Sequence, residues 1–214
     1  MILPSTVDEI KAFQNGRFDH LGKPLVADGV WGAKSMWRWN IDNGCAFRKA
    51  IVERAISALG TTEEPDGSNR GPKIDAWLRR CGIWVPGDAR PMPDNAWCAA
   101  FASWCISVDG LEETKMAKVA DLIAALPHIT FDEALPGDLG YQQSLSHIWV
   151  VTGFSDERLF SDKTYPAGHT MNVEGNTHNE CRATTRPIAS YLRTVPRFRP
   201  GIPAGVLPAG SATR

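Results

Sequence analysis

The chain has 214 residues, 43% of them hydrophobic and 22% charged, with a formal net charge of −1. That composition supports a packed core and excludes global disorder. The near-neutral charge gives no bulk attraction for nucleic acid or for an anionic surface, and no apolar run reaches the ~20 residues of a membrane span.

The first residues, MILPSTVDEIKAFQ, carry charge too early for a secretory signal. The expectation is synthesis in the cytoplasm, with any action outside it dependent on release or delivery. Thr6 and Glu9 form the T-x-x-E pattern of a capping box, and Val7, Ile10 and Phe13 follow at helical spacing. A polar loop, DGVWG (28–32), leads to a second helical stretch containing Met36 and Trp37. Residues 1–45 read as one small helical unit. From Phe47, the positions Ile51, Ala55 and Leu59 mark a longer helix that stops at Gly60. TTEEPDGSNRGP is a loop, and Pro72 is placed to open the next helix, whose apolar face is Ile74, Trp77, Leu78 and Cys81. PDNAWCAAFASWC begins another helix, capped by Asp94 or Asn95. Thr114 to Leu126 predicts a further one, closed by Pro127. After LPGDLG the texture changes. HIWVVTGF, TMNVEG and YLRTVPRF are short and rich in β-branched and aromatic residues, and predict strands. Helices first and strands second argue for an α+β fold. Residues 200–214 are a Pro/Gly-rich tail.

Five cysteines (Cys45, Cys81, Cys98, Cys105 and Cys181) at irregular spacing do not make a disulfide framework, so they read as reduced thiols. Cys98 differs from the rest because it falls in the first turn of a helix. Free N–H groups and a partial positive charge there favour the thiolate. Cys81 and Cys105 fall near helix ends, where the dipole opposes ionisation. Cys98 and Cys105 are two turns apart and cannot bond to each other. Among the histidines, His20 lies in the N-terminal unit, His128 at a helix end, and His169 and His178 in polar loops. His147 opens a strand, where a sheet holds it on a definite face. Glu174 and Asn176 follow in NVEGNT; either could accept the imidazole N–H and fix its tautomer. His178 and Cys181 form H-x-x-C, but a second ligand pair is missing, so neither a metal nor a cofactor is expected.

The strings EEPDGSNRGPKIDAWL, DNAWCAAFASWC, LPGDLG, SHIWVVTGF and NVEGNT resemble the CHAP group of cell-wall amidases and peptidases, relatives of the NlpC-type papain-like hydrolases, and look especially like its phage endolysin branch. The likeness covers about residues 47–199 and gives a catalytic unit over 46–199. It implies a papain-like domain with helices packed on an antiparallel sheet, Cys98 as nucleophile, His147 as base, and Glu174 with Asn176 as orienting residues. It also implies bacterial peptidoglycan as substrate. Where the family commonly has small aliphatic residues after the histidine, this chain has Trp149. Trp97 adjoins the nucleophile and is a candidate substrate contact, as is Asn95, which is also a candidate second oxyanion donor. Trp77 and Trp84 could line the same groove. The N-terminal stretch is similar to a peptidoglycan-binding helical module in its FQ and D-G-x-x-G turn, which makes Asp28 and Trp31 candidate wall contacts. No nucleic acid, no membrane insertion and a monomer are expected. Rival readings are a hydrolase-like protein that only binds wall, a protein-directed cysteine peptidase, and an effector delivered by a secretion machine. The route to the wall would be a holin-like membrane hole or a secretion system.

Overall fold

Thr6 opens the first helix as its spacing predicts. In the computed structural model, which describes residues 3–83, 97–108, 115–126, 129, 134–142, 144–155, 169–187 and 193–194, the Glu9 N–H donates to Thr6 Oγ1 at 3.2 Å. The Thr6 N–H donates back to Glu9 Oε2 at 3.1 Å. This reciprocal cap starts α1 (Val7–Gln14), followed by α2 (Ala33–Asp42), α3 (Ala46–Ser57), α4 (Pro72–Arg80), α5 (Cys98–Ile106) and α6 (Val119–Ala125). Proline sits in the first turn of α4, where its missing N–H leaves no bond unmade. The helix expected over 114–126 is shorter, because residues 115–118 are not helical. The Met116 N–H and carbonyl are both engaged by the Ser103 hydroxyl of α5, which takes that backbone out of a helical ladder. Thr114, Pro127 and the expected caps Asp94 and Asn95 lie outside the described residues, as do Trp84, His128 and the tail 200–214.

The strands are β1 (Leu139–Tyr141), β2 (Ile148–Ser155), β3 (His169–Thr177), β4 (Glu180–Pro187) and β5 (Arg193–Thr194). They pair antiparallel in the order β4-β3-β2-β1-β5. The α+β class therefore holds. Two strands stand where no strand was expected: β1 begins at the end of LPGDLG, and β4 follows a stretch read only as polar loop. His169, expected in a loop, opens β3. The strand expected over YLRTVPRF is limited to β5 among the described residues.

Alternation decides what the sheet presents. Leu139 and Tyr141 of β1, Ile148 and Val150 of β2, and Val173 of β3 are buried with α3, α4, α5 and α6 in one apolar core. The β2–β3 register shifts between Val151 and Gly153, so Gly153 also turns to the helices. There it meets Trp37 of α2, whose Nε1 donates to the Thr152 carbonyl at 2.9 Å. Trp37 and Ile41 share a second buried cluster with Val52 of α3 and Met171 of β3. The N-terminal helices are thus packed onto the same sheet that carries the larger core. The PGD motif has a packing role: buried Asp138 pairs with buried Arg48 of α3, which ties α3 to the start of β1.

At Gly175, β3 lies tightly against α5. A Cβ added at Gly175 would stand 2.8 Å from both Phe101 Cβ and Trp97 Cζ3. Neither atom is the free end of a flexible chain, so the helix would have to move. Gly175→Ala is expected to destabilise the protein by roughly 1–3 kcal/mol, read as a lower urea midpoint at an unchanged m-value.

Candidate active site

Cys98 is the first residue of α5, with Trp97 in the N-cap position. A tryptophan offers no capping oxygen, so the first-turn N–H groups of α5 receive no bond from that side chain. Trp97 is held instead by its ring: Nε1 donates to Glu63 Oε1 at 2.8 Å, and the ring packs 5.7 Å from that of Trp77. Cys98 is fully buried, and its thiol neighbours the His147 imidazole closely enough to favour that ring's charged form.

His147 sits immediately before β2, and its Nε2 lies 2.9 Å from Glu174 Oε2. With that nitrogen taken, Nδ1 is the one left for the sulfur. Glu174 is on β3, directly opposite Trp149 across the β2–β3 ladder. Its carboxylate is 0% exposed. A buried anion is tolerable only when its lone pairs are filled, and here they are. Oε2 accepts from Thr177 Oγ1 at 3.0 Å and from Arg186 Nη2 at 2.5 Å. Oε1 accepts from Arg186 Nε at 2.7 Å and from the Thr184 hydroxyl.

These contacts set the charges. Burial opposes ionisation of Glu174, but the donors Arg186, His147 and Thr184 outweigh it and hold the carboxyl down at about 2. Burial also opposes a charged His147, yet its bonds to Cys98 and Glu174 push it up to about 9. The imidazole is therefore a cation at neutral pH. A sulfur, a proton carrier and a fixed anion stand in series, which is the order that nucleophilic acyl chemistry requires.

The residues expected at the site divide. Cys98, His147 and Glu174 come together. Asn176 does not join them. It takes a left-handed conformation (φ 59°), and the β3–β4 register shifts between Glu174 and Thr177. The two-residue alternation that would have put Asn176 beside Glu174 is broken there. Its Nδ2 donates to Asn69 Oδ1 at 3.1 Å instead, and Thr177 takes the place beside the imidazole, its hydroxyl 3.3 Å from His147 Nε2. Trp97, expected to touch substrate, is buried with its ring engaged by Glu63 and Trp77. Trp77 is likewise core. Asn95 lies outside the described residues. Asp28 and Trp31 belong to the N-terminal unit. Asp28 Oδ1 accepts from Gln14 Nε2 at 3.0 Å and from the Val30 N–H at 2.9 Å, which closes the DGVWG turn. Trp31 is half-buried against Phe13 and Trp39.

Thr177, Thr184, Arg186 and Glu63 were not foreseen. Arg182, Thr184 and Arg186 alternate with Cys181, Ala183 and Thr185, a two-residue period that marks β4, but threonines and arginines blur it. Comparison of the chain with protein-family models, with curated proteins and with solved structures finds no match in any of the three.

The Glu174 carboxyl lies below its ordinary value of 4.5. Its contribution to stability is therefore complete above that value and is lost as pH falls toward about 2. Urea unfolding should show the wild-type protein losing stability more steeply than Glu174→Gln as pH falls below 4.5.

Proposed function

We propose that the chain is a papain-like thiol hydrolase of the CHAP/NlpC type that cuts an amide bond in bacterial peptidoglycan. The observation that carries this reading is the series Cys98–His147–Glu174: a cysteine at a helix start, beside an imidazole that a buried carboxylate orients. A sulfur beside an imidazole that a third group orients is the arrangement of a nucleophile with its acid–base partner. The choice of peptidoglycan rests on the motif resemblance. It goes with a cytoplasmically made protein that reaches the wall by release or delivery.

In this mechanism the Cys98 sulfur attacks the amide carbon, the S–C bond forms, and the carbonyl electrons move onto oxygen. The backbone N–H of Cys98, in the first turn of α5, is the candidate donor to that oxyanion. When the oxyanion collapses, the C–N bond breaks and His147 gives its proton to the departing amine. A thioester remains. His147, now neutral, takes a proton from water as the water attacks the thioester carbon. The S–C bond breaks, the acid leaves, and the sulfur and imidazole return to their starting charges. Glu174 holds the ring in one orientation throughout, fixes the tautomer of its neutral form and stabilises its charged form. Thr177, on the same carboxylate oxygen, limits rotation of that carboxylate.

Cys98→Ala should fold as the wild type does and release no soluble muropeptides from purified sacculi. Mass spectrometry of a wild-type digest should show new amino termini in the stem peptide or at its junction with the glycan. Release by Cys98→Ala at the wild-type rate would refute the mechanism. The pH dependence follows from the imidazole. Departure of the amine needs the imidazolium, so kcat/KM should fall as pH rises through about 9, and a pH-rate profile on sacculi checks it.

A further inference from the structure

Arg186 is used by nothing in the mechanism above, yet it makes the most extensive contact with its central anion. Its Nε donates to Glu174 Oε1 at 2.7 Å and its Nη2 to Glu174 Oε2 at 2.5 Å. This is the two-pronged geometry that a guanidinium offers and an ammonium does not. The guanidinium also lies 5.1 Å over the ring of Trp149. Trp149 is 1% exposed, and its ring stands 6.0 Å from that of His147. The indole thus backs the guanidinium on one side and borders the imidazole on another. Trp149 is itself made possible by a glycine: a Cβ at Gly140, its partner on β1, would collide with the indole.

The consequence lies at one oxygen. Glu174 Oε2 accepts from both Arg186 and His147. A carboxylate bonded to the imidazole alone would place its whole charge at the service of the imidazolium. Holding that cation is useful before the amine departs and harmful afterwards, when the ring must stay neutral long enough to take a proton from water. A second, permanent cation on the same carboxylate weakens the hold without removing the orientation.

We infer that Arg186 is a positioning residue for the Cys98–His147–Glu174 set: it locks the carboxylate in the plane that meets the imidazole, and it shares that carboxylate's charge so that His147 can pass its proton on. Among the described residues, the other charged or titratable groups facing this set are few. Cys98 comes from α5. Arg182 on β4 lies opposite Glu174 in the ladder, but its Nε is paired to Glu180 at 2.9 Å. Glu63 reaches the set at one remove, through the Trp97 ring and through Asn69 and Asn176. The inference rests on the hydrolase reading, and its test is arranged so that the two can fail separately.

The test is the titration of the His147 ring proton by NMR, assigned by its loss in His147→Asn, in the wild type, Cys98→Ala, Arg186→Gln and Arg186→Lys. Arg186→Gln removes the cation and is expected to move the His147 midpoint upward by about one pH unit or more. Arg186→Lys keeps the charge without the fork and should move it less. On sacculi, Arg186→Gln should lose roughly tenfold in kcat with KM unchanged or lower, because the acyl-enzyme waits for a base. A folded Arg186→Gln with the wild-type midpoint overturns the inference. Should Arg186→Gln fail to fold, an unshifted midpoint in Arg186→Lys overturns it equally. Release of muropeptides by Cys98→Ala at the wild-type rate would instead overturn the hydrolase reading. In that case the Arg186 comparison still stands or falls on its own shift.

Discussion

A carboxylate with no exposure to water, in the middle of a sheet, is the constraint around which this molecule is arranged. Left unpaired, Glu174 would cost several kcal/mol and would take up a proton. Its donors come from separate pieces of chain: His147 ahead of β2, Thr177 at the end of β3, and Thr184 and Arg186 on β4. None of them is in place unless β2, β3 and β4 are paired in the observed register. The site therefore depends on the sheet, and a one-residue slip of β4 would turn Thr184 and Arg186 to the wrong face. Compensation of one buried charge thus couples the candidate chemistry to the pairing of the strands.

The sulfur is placed by a different force. Cys98 belongs to α5, which makes no backbone ladder with the sheet; it is pressed onto β3 by burial of Phe101, Trp97 and their neighbours. How near it can come is set by Gly175, one residue past Glu174. The residue that orients the imidazole and the residue that admits the helix are adjacent in sequence. Polar compensation on one face of β3 and apolar contact on the other converge on the same two positions. That economy explains why an E-G pair, which as a bare sequence is ordinary turn chemistry, stands inside a strand here.

What could be read from the sequence follows the same division. Local signals were legible: the Thr6–Glu9 cap, Pro72 at the start of α4, and the apolar spacing of α3 each depend on residues within a turn or two of one another. Cys98, His147 and Glu174 stood out because each is a reactive type at the end of an element. The failures came where a distant contact decides the outcome. The helix around Met116 is cut short by a hydroxyl on α5. Asn176 leaves the set because a left-handed residue breaks strand parity, and asparagine is among the few types that adopt that backbone readily. Arg186 was invisible because its partner is twelve residues away and the strand between them carries no apolar rhythm. Trp97 looked like a groove residue because it adjoins the cysteine, but a helix start can be pinned by a buried ring as well as by a capping oxygen.

Glu63 shows how far that pinning extends. Its Oε1 accepts from Trp97, next to the sulfur, and its Oε2 accepts from the Asn69 N–H at 2.8 Å. Asn69 in turn accepts from Asn176, two residues past Glu174. The segment before α4 also follows the β3–β4 turn through the Glu63 N–H to Asn179 carbonyl bond and the Asn179 to Asp66 side-chain bond. A polar chain therefore runs from the start of α5, through the loop at 61–71, to the end of β3. It joins from outside the same two elements, α5 and β3, that carry Cys98 and Glu174. The left-handed residues Asn69, Asn176, His178 and Asn179 all lie along it. Backbone conformations of that kind persist only where the surroundings over-determine them. The loop at 61–71 is, on this geometry, a brace between the start of α5 and the β3–β4 turn. Its asparagines are required for the turns they can make, and the carboxylate of Glu63 is required because it can accept two hydrogen bonds at once.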